Sequence, residues 1–537
     1  MPPHPLHTAL LPAPTKAHGR PGRFTFHPGT HLRVSAGAEP AASLLRTLLA
    51  PATGLPLRPA DDGTVVLALD PALTGLGTEG YGLTIGPHSV LLRAARLDGL
   101  LRGVQTIRQL LPEAALARAP QPGVAWTLPC AEITDVPRHP WRGAMLDVAR
   151  HYQPVSYLRR YVDLLALHKI NVFHLHLTDD QGWRMPVAAY PKLTEIGGRR
   201  TRSPTGPTGD DHDGTPHGGA YTRAELAGLV EHAAARGVTV VPEIEMPGHV
   251  RAALAAYPHL GNDPGRALDV WTRWGVCDTI LGVHEEVFDF CRTVLEEVMD
   301  LFPSPYIHIG GDECPVTEWE RSPVARARLR AEGLSGPAAL HGWFLGRVGA
   351  FLTRNGRRPV GWAETGTELP ADFTVMAWRD PAHALAAARR GHDVINAHYR
   401  ATYLDYPQTA DPREPRAQPG AVVGLRDVHG HDPVPAGADP DTAARVLGTQ
   451  AQVWTEYAST PERLEHLTYP RLCALADRGW SGPSTWADFS ARLERHTARL
   501  DALQVRRHPG RPGTDPERPG TDPGKPATDP GRPGTDL

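Results

Sequence analysis

Beyond Trp141 the chain alternates two hydrophobic patterns. Short apolar runs of strand length recur at 143–148, 171–177, 238–244, 306–309, 359–362, 374–378, 394–398 and 448–454. Between most of them lie segments with apolar positions at helical spacing: 156–168, 223–236, 285–302, 338–355 and 382–390, with 461–478 after the eighth run. Continuous or alternating apolar runs bury as strands, and i, i+3, i+4 spacing buries one face of a helix. Eight such βα units in about 360 residues predict an α/β fold, a (β/α)8 TIM barrel.

The first 135 residues follow another rhythm and read as a small α+β domain. Strand-like runs stand at 64–69 and 81–94, the second turning at Gly86–Pro87 as a hairpin would. A helix pattern at 100–111 places Leu100, Val104, Ile107 and Leu111 on one face. At the other end, four heptads from Gly510 onward (GRPGTDP, ERPGTDP, GKPATDP, GRPGTDL) hold too much Pro and Gly to build a core. The expected organisation is therefore 1–135 as the N-terminal domain, 136–506 as the barrel, and 507–537 as a disordered repeat tail. A Gly-, Thr- and Asp-rich insert at 203–219 follows the second barrel strand and reads as a loop.

Composition narrows the function. A chain of 537 residues with 41% hydrophobic and 21% charged positions reads as a globular protein of more than one domain. The formal net charge of −3 gives no basic surface for nucleic acid or an anionic membrane. No run of 18 apolar residues is present, so no membrane span is expected. The N-terminal stretch lacks the charged and apolar regions of a signal peptide, which reads as cytoplasmic as written. Cys130, Cys277, Cys291, Cys314 and Cys473 are scattered and odd in number, which fits neither a disulfide framework nor a C-x-x-C metal site. Cys314 reads as a packing residue.

In a barrel of this kind, chemistry gathers just after the C-terminal ends of the strands. Those ends carry Asp147 with Arg150 and His151; His174 and His176 with Asp179, Asp180 and Trp183; and Glu243, Glu245 and His249. They continue with Asp312 and Glu313, then Trp362 and Glu364, then Trp378 and Arg379, then Tyr399, Tyr403 and Asp405, and last Trp454, Glu456 and Tyr457. Carboxylates and Arg match sugar hydroxyls, and flat aromatic rings match the apolar face of a pyranose. His174 and His176 alternate with apolar positions and read as structural residues pointing into the barrel. The densest signal is HIGGDE, 308–313. Its two glycines admit close approach or positive φ. Its adjacent acids repel, which drives one toward protonation and so toward general-acid duty.

The segments WRGAMLDVARHY, NVFHLHLTDDQGWR, VPEIEMPGH, FPSPYIHIGGDE and YPRLCALADRGW, in this order, resemble family 20 glycoside hydrolases, the β-N-acetylhexosaminidases. The resemblance runs from about Tyr81 to Trp480. It implies that Glu313 is the general acid and base, and that Asp312 holds and steadies the substrate's acetamido group. It places Tyr403 on the acetamido carbonyl, and Trp362, Trp378 and Trp454 around the methyl and sugar face. Arg150, Asp405 and Glu456 are implied to hold ring hydroxyls, and Asp179 with His249 to tune Glu313. Ala363 departs from the family, which usually has a polar residue there.

The implied reaction is exo-acting hydrolysis of terminal N-acetylglucosamine or N-acetylgalactosamine, with retention and with the substrate's own acetamido oxygen as nucleophile. No cofactor or metal is expected, and the expected partner is a carbohydrate ending in an N-acetylhexosamine. Two competing readings are a metal-dependent barrel hydrolase using His174, His176, Asp179 and His249, and a non-catalytic sugar-binding protein. An H-x-H pair at a barrel strand end is a real metal signal, but no third-strand Lys or distant His pair completes it. A binding module has no need of a general acid beside a second carboxylate.

Overall fold

The computed structural model describes residues 9–206, 211–363 and 369–510. The heptad tail beyond Gly510 and Glu364 fall outside the described residues, as do four positions of the 203–219 insert.

The N-terminal region is a six-stranded mixed sheet. Its strands run, in spatial order, Lys16–Thr25, Thr127–Asp135, Tyr81–Ile85, Val90–Ala94, Val65–Leu69 and Leu32–Val34. The hairpin read at 81–94 forms, with Tyr81 opposite Ala94 and Ile85 opposite Val90. Helices Glu39–Thr53 and Leu97–Leu110 supply the apolar layer, burying Leu45, Leu49, Leu100, Val104 and Ile107 against Leu67, Ile85 and Leu92. Strand Lys16–Thr25 has a largely exposed, polar face, so it lacks the hydrophobic alternation that marks a strand in sequence.

The eight expected barrel strands form and close: Trp141–Asp147, Val172–His176, Thr239–Glu243, Tyr306–His308, Arg358–Ala363, Thr374–Ala377, Val394–Asn396 and Val446–Ala451. They are numbered one to eight in that order below. All eight pairings are parallel. Between most of them run the expected helices, among them Val155–Leu167, Arg223–Ala234, Glu285–Leu301 and Pro337–Arg354. The pattern at 461–478 is a correction. It forms two helices, Pro461–Thr468 and Arg471–Trp480, because Pro470 has no backbone N–H to carry one helix through. A further helix, Trp486–Ala502, follows, and its Arg499 donates to the Gln109 carbonyl of the N-terminal domain at 2.7 Å.

The two regions are joined by a buried charge cluster. Lys169 Nζ lies 2.6 Å from Asp135 Oδ2, to which the Tyr81 hydroxyl donates at 2.8 Å. The Trp480 indole donates to the other Asp135 oxygen at 2.9 Å. None of the five cysteines is in a disulfide, and four are buried while Cys314 is partly exposed. No helix among the described residues is long and apolar enough to cross a membrane.

Candidate active site

Register decides which strand-end residues meet. Glu243, at the end of strand three, stands opposite His176 of strand two and His308 of strand four. Its carboxylate lies 3.0 Å from His174 Nε2 and 2.8 Å from His308 Nδ1, and it contacts His176 Nδ1. It also accepts the Trp362 indole N–H at 2.7 Å. Burial works against the Glu243 charge, but the three histidines overcome it and hold the carboxyl well below its ordinary range. The H-x-H signal is thus engaged with a buried glutamate under the pocket floor. His174 is structural, while His176 also reaches Asp179 Oδ2 at 3.0 Å.

Asp179 is buried and fully engaged. Arg150 reaches its Oδ2 at 2.7 Å, and His249 Nδ1 stands 3.3 Å from its Oδ1. Burial raises its pKa, but Arg150 and His249 prevail and hold the carboxyl well below the usual range. Burial likewise opposes charge on His249, yet Asp179, with Asp180 at 3.2 Å, keeps the imidazole protonated well above its ordinary value. His249 Nε2 then lies 3.7 Å from Glu313 Oε2.

The expected residues continue as a closed circuit. Arg379 lies 3.6 Å from the other Glu313 oxygen, and its guanidinium covers the Trp378 ring at 4.6 Å. Trp378 stacks on Tyr403, with centroids 6.1 Å apart and planes 20° apart. Tyr403 meets Trp454 at 6.4 Å, and Arg150 sits 5.0 Å over the Trp454 ring. Trp362 completes the floor, 6.1 Å from Trp454. Burial opposes the Arg150 charge, but Asp179, Asp147 and then Glu456 raise its pKa, which places Glu456 in the same field.

The loop carrying Tyr403 and Asp405 is pinned from behind. Leu404 N–H donates to the Gln452 carbonyl of the segment just past strand eight at 2.7 Å. Arg471 donates to the carbonyls of Leu404, Tyr406 and Val423 at 2.6, 3.0 and 2.6 Å. Burial pushes the Arg471 pKa down to about 9, and Asp405 pulls against it.

HIGGDE adopts the geometry its glycines allow. Gly310, Gly311 and Glu313 all have positive φ, 66°, 97° and 45°. A side chain at Gly310 would collide with Glu245, whose Oε2 lies 1.6 Å from where a Cβ would stand. Glu245 is the residue that sequence reading named without giving a role. Burial, with the Asp312 charge next and Glu243 after it, raises its pKa well above the ordinary value. The group that burial and crowded acids push toward protonation is thus Glu245, two residues past the end of strand three. The signal was the E-x-E spacing at 243–245: alternate residues of a barrel strand share its inner face.

The base of the 203–219 insert is tied close to the pocket. Arg199 pairs with Gly218 and Arg200 with His217. Arg200 donates to the Gln181 carbonyl at 3.3 Å, and Gln181 in turn accepts from Arg150 at 2.9 Å.

Two family models match the chain: "Glycosyl hydrolase family 20, catalytic domain" over residues 139–483, and "Glycosyl hydrolase family 20, domain 2" over residues 7–136. A β-hexosaminidase of Porphyromonas gingivalis is 36% identical over 521 residues, 94% of this chain and 65% of that protein. This chain thus spans just under two thirds of that relative's length. The structure of a Streptomyces coelicolor A3(2) family 20 β-N-acetylhexosaminidase aligns with a TM-score of 0.82 at 35% identity, covering 95% of this chain and 99% of that one. A Vibrio harveyi family 20 exo-β-N-acetylglucosaminidase, solved in complex with N-acetylglucosamine, aligns with a TM-score of 0.84 at 30% identity, covering 94% and 79%.

Proposed function

This chain belongs to glycosyl hydrolase family 20 as a glycoside hydrolase of the β-hexosaminidase type, and we propose that it releases terminal N-acetylglucosamine, or its galactosamine epimer, from glycan or chitin-oligomer ends. The observation that carries this reading is the closed circuit from Glu313 through His249, Asp179, Arg150, Trp454, Tyr403, Trp378 and Arg379 back to Glu313. It gathers aromatic rings and carboxylates, the side-chain types that suit one N-acetylated sugar ring.

In this mechanism Glu313 protonates the glycosidic oxygen and later takes a proton from water. The His249 imidazolium and the Arg379 guanidinium flank the carboxylate that proton donation leaves, so they stabilise charge that develops during reaction. Asp312 is the partner of the acetamido N–H in this reading, and burial, with the Asp312 charge next, raises the pKa of the neighbouring Glu245 well above its ordinary value. Asp312 and Glu313 leave adjacent backbone positions, whereas a retaining carboxylate pair needs groups on opposite faces about 5 Å apart. The nucleophile is then the substrate's own acetamido oxygen, pre-oriented by the aromatic walls and worth a high effective concentration.

The test compares p-nitrophenyl N-acetyl-β-glucosaminide and N-acetyl-β-galactosaminide with the plain β-glucoside. Turnover confined to the acetamido sugars, with tight inhibition by a thiazoline mimic of the cyclic intermediate, is expected. Comparable turnover of the plain glucoside, or a 2-fluoro sugar trapped covalently on the protein, would sink the reading.

A further inference from the structure

Helix Leu97–Leu110 is buried on almost every side, sandwiched between the N-terminal sheet and the barrel. Its polar side chains are therefore under pressure to find partners. Arg102 donates to Glu79 at 2.8 Å and to the Gly237 carbonyl at 2.5 Å. Thr106 meets the Tyr81 hydroxyl at 2.6 Å, and Gln109 donates to the carbonyls of Leu11 and Leu167 at 2.8 and 2.9 Å. Gln105, whose Oε1 finds no partner among the described residues, and Arg108 break the pattern, and of the two only Arg108 carries a charge. It is 8% exposed, yet it makes no hydrogen bond or ion pair with any described residue, and its Nε is shut off from solvent. The last turn of the helix favours a cation there, but it offers this guanidinium no acceptor.

Arg108 lines a cleft of about 190 Å³ between the N-terminal domain and the barrel, whose other charged residues are Arg118, Arg160, Arg236 and Asp163. Two of the arginines are neutralised. Arg160 lies 2.6 Å from Glu465, and Arg236 contacts Asp163. Arg108 and Arg118, the latter exposed at the rim, have no such carboxylate among the described residues. Burial outweighs the pull of Asp163 and, with a smaller push from Arg236, brings the Arg108 pKa down only to about 10, so the group stays charged at neutral pH. Asp163 is committed to Arg236 and gives Arg108 charge but no hydrogen bond; a buried guanidinium without an acceptor is costly, and an anion drawn from solution removes that cost.

We infer that this cleft binds a small anion bearing a phosphoryl group, with Arg108 as the buried anchor and Arg118 at the rim. Two guanidinium forks from different elements suit a tetrahedral oxyanion, which presents acceptors in several directions. A carboxylate has two oxygens in one plane and matches a single fork. None of the residues of the catalytic circuit lines the cleft, so binding there is read independently of glycosidase activity.

The test uses the full chain, prepared free of phosphate. Inorganic phosphate and glycerol 3-phosphate are titrated against chloride at matched ionic strength, followed by thermal unfolding and by ³¹P resonance broadening. A ligand that binds only the folded state raises Tm with concentration. The expected result is a saturable rise in Tm and broadening with phosphate but not chloride, both lost in Arg108→Met. Should Arg108→Met fail to fold, Arg118→Gln decides, and at least a several-fold weakening is expected. Binding of both phosphates assigns the site to phosphorylated small molecules, and binding of inorganic phosphate alone assigns it to the free ion. A wild-type response to both phosphates that matches chloride, or a deciding variant that titrates like wild type, overturns the proposal.

Discussion

His249 holds its Nε2 3.7 Å from Glu313 Oε2 while its Nδ1 faces Asp179 and Asp180 at 3.3 and 3.2 Å. The imidazole thus joins the buried acids of strand two to the acid of strand four. The Asp179 and Asp180 charges hold it protonated well above its ordinary value. Replacing Asp179 by Asn removes the larger of these pulls. The basic limb of the pH profile of kcat/KM is then expected to move to lower pH, with activity near neutrality down by about tenfold or more. An unmoved limb would separate His249 from the titration that governs activity.

Glu313→Gln is expected to lower kcat by about 10²–10⁴-fold on substrates whose leaving group needs a proton. The loss should shrink on a dinitrophenyl glycoside, whose leaving group departs unaided. Equal losses on both substrates would remove Glu313 from the role of acid.

Trp362 is buried at the pocket floor and donates its indole N–H to Glu243 at 2.7 Å. Trp362→Phe keeps an aromatic surface but deletes that donor. A loss of about 1–3 kcal/mol in unfolding free energy is expected, with KM raised in keeping with the proposed contact of Trp362 with the sugar. Urea unfolding and steady-state kinetics on the same preparation check both. Unaltered stability would mean that the histidines alone satisfy Glu243.

The Lys169–Asp135 pair, at 2.6 Å and buried on both sides, links the barrel to the last strand of the N-terminal sheet. Lys169→Met leaves the Asp135 charge buried without its cation, and a loss of about 3–5 kcal/mol is expected. The double variant Lys169→Met/Asp135→Asn should recover part of it, as read by denaturant unfolding. No recovery would show that the cost lies in packing rather than charge.

Burial holds His168, His174 and His431 near pKa 4, while an unfolded histidine titrates near about 6.5. Between these values the unfolded chain binds more protons, so stability falls as pH falls through that window. His176 and His249, raised above their ordinary value, act the other way: they stabilise the fold below the unfolded pKa, and that share is lost as pH rises through their folded values. Tm is therefore expected to peak between the two limbs. A Tm that stays level from pH 6.5 down to about 4.5 would show that the low-pKa histidines are not kept neutral in the fold.

The barrel was legible because its signals are local. Each strand declared itself by an apolar run such as 171–177, each helix by a stripe such as Leu158, Tyr161, Val162 and Leu165. The hairpin at 81–94 was marked by its Gly-Pro turn. Where the local signal was weak, reading failed. Lys16–Thr25 is a strand with a polar exposed face, paired with Thr127–Asp135 more than a hundred residues away. The pattern at 461–478 looked continuous because Tyr469 and Leu472 keep helical spacing across a proline.

The sequence by itself determined the candidate chemistry: Asp312 and Glu313 behind two glycines, tryptophans at three strand ends, and the motifs of one enzyme family. Those follow from residue type and spacing along one strand, which neighbours in the chain define. Tertiary structure decided how those groups are charged and held. Parallel register set Glu243 opposite both His176 and His308, and closure of the barrel buried Glu245, raising its pKa well above the ordinary value, and brought Arg471 under the Tyr403 loop. Such partners lie on different strands and helices. Their protonation depends on burial and on charges that approach only when the barrel closes, and no pattern along the chain encodes that distance.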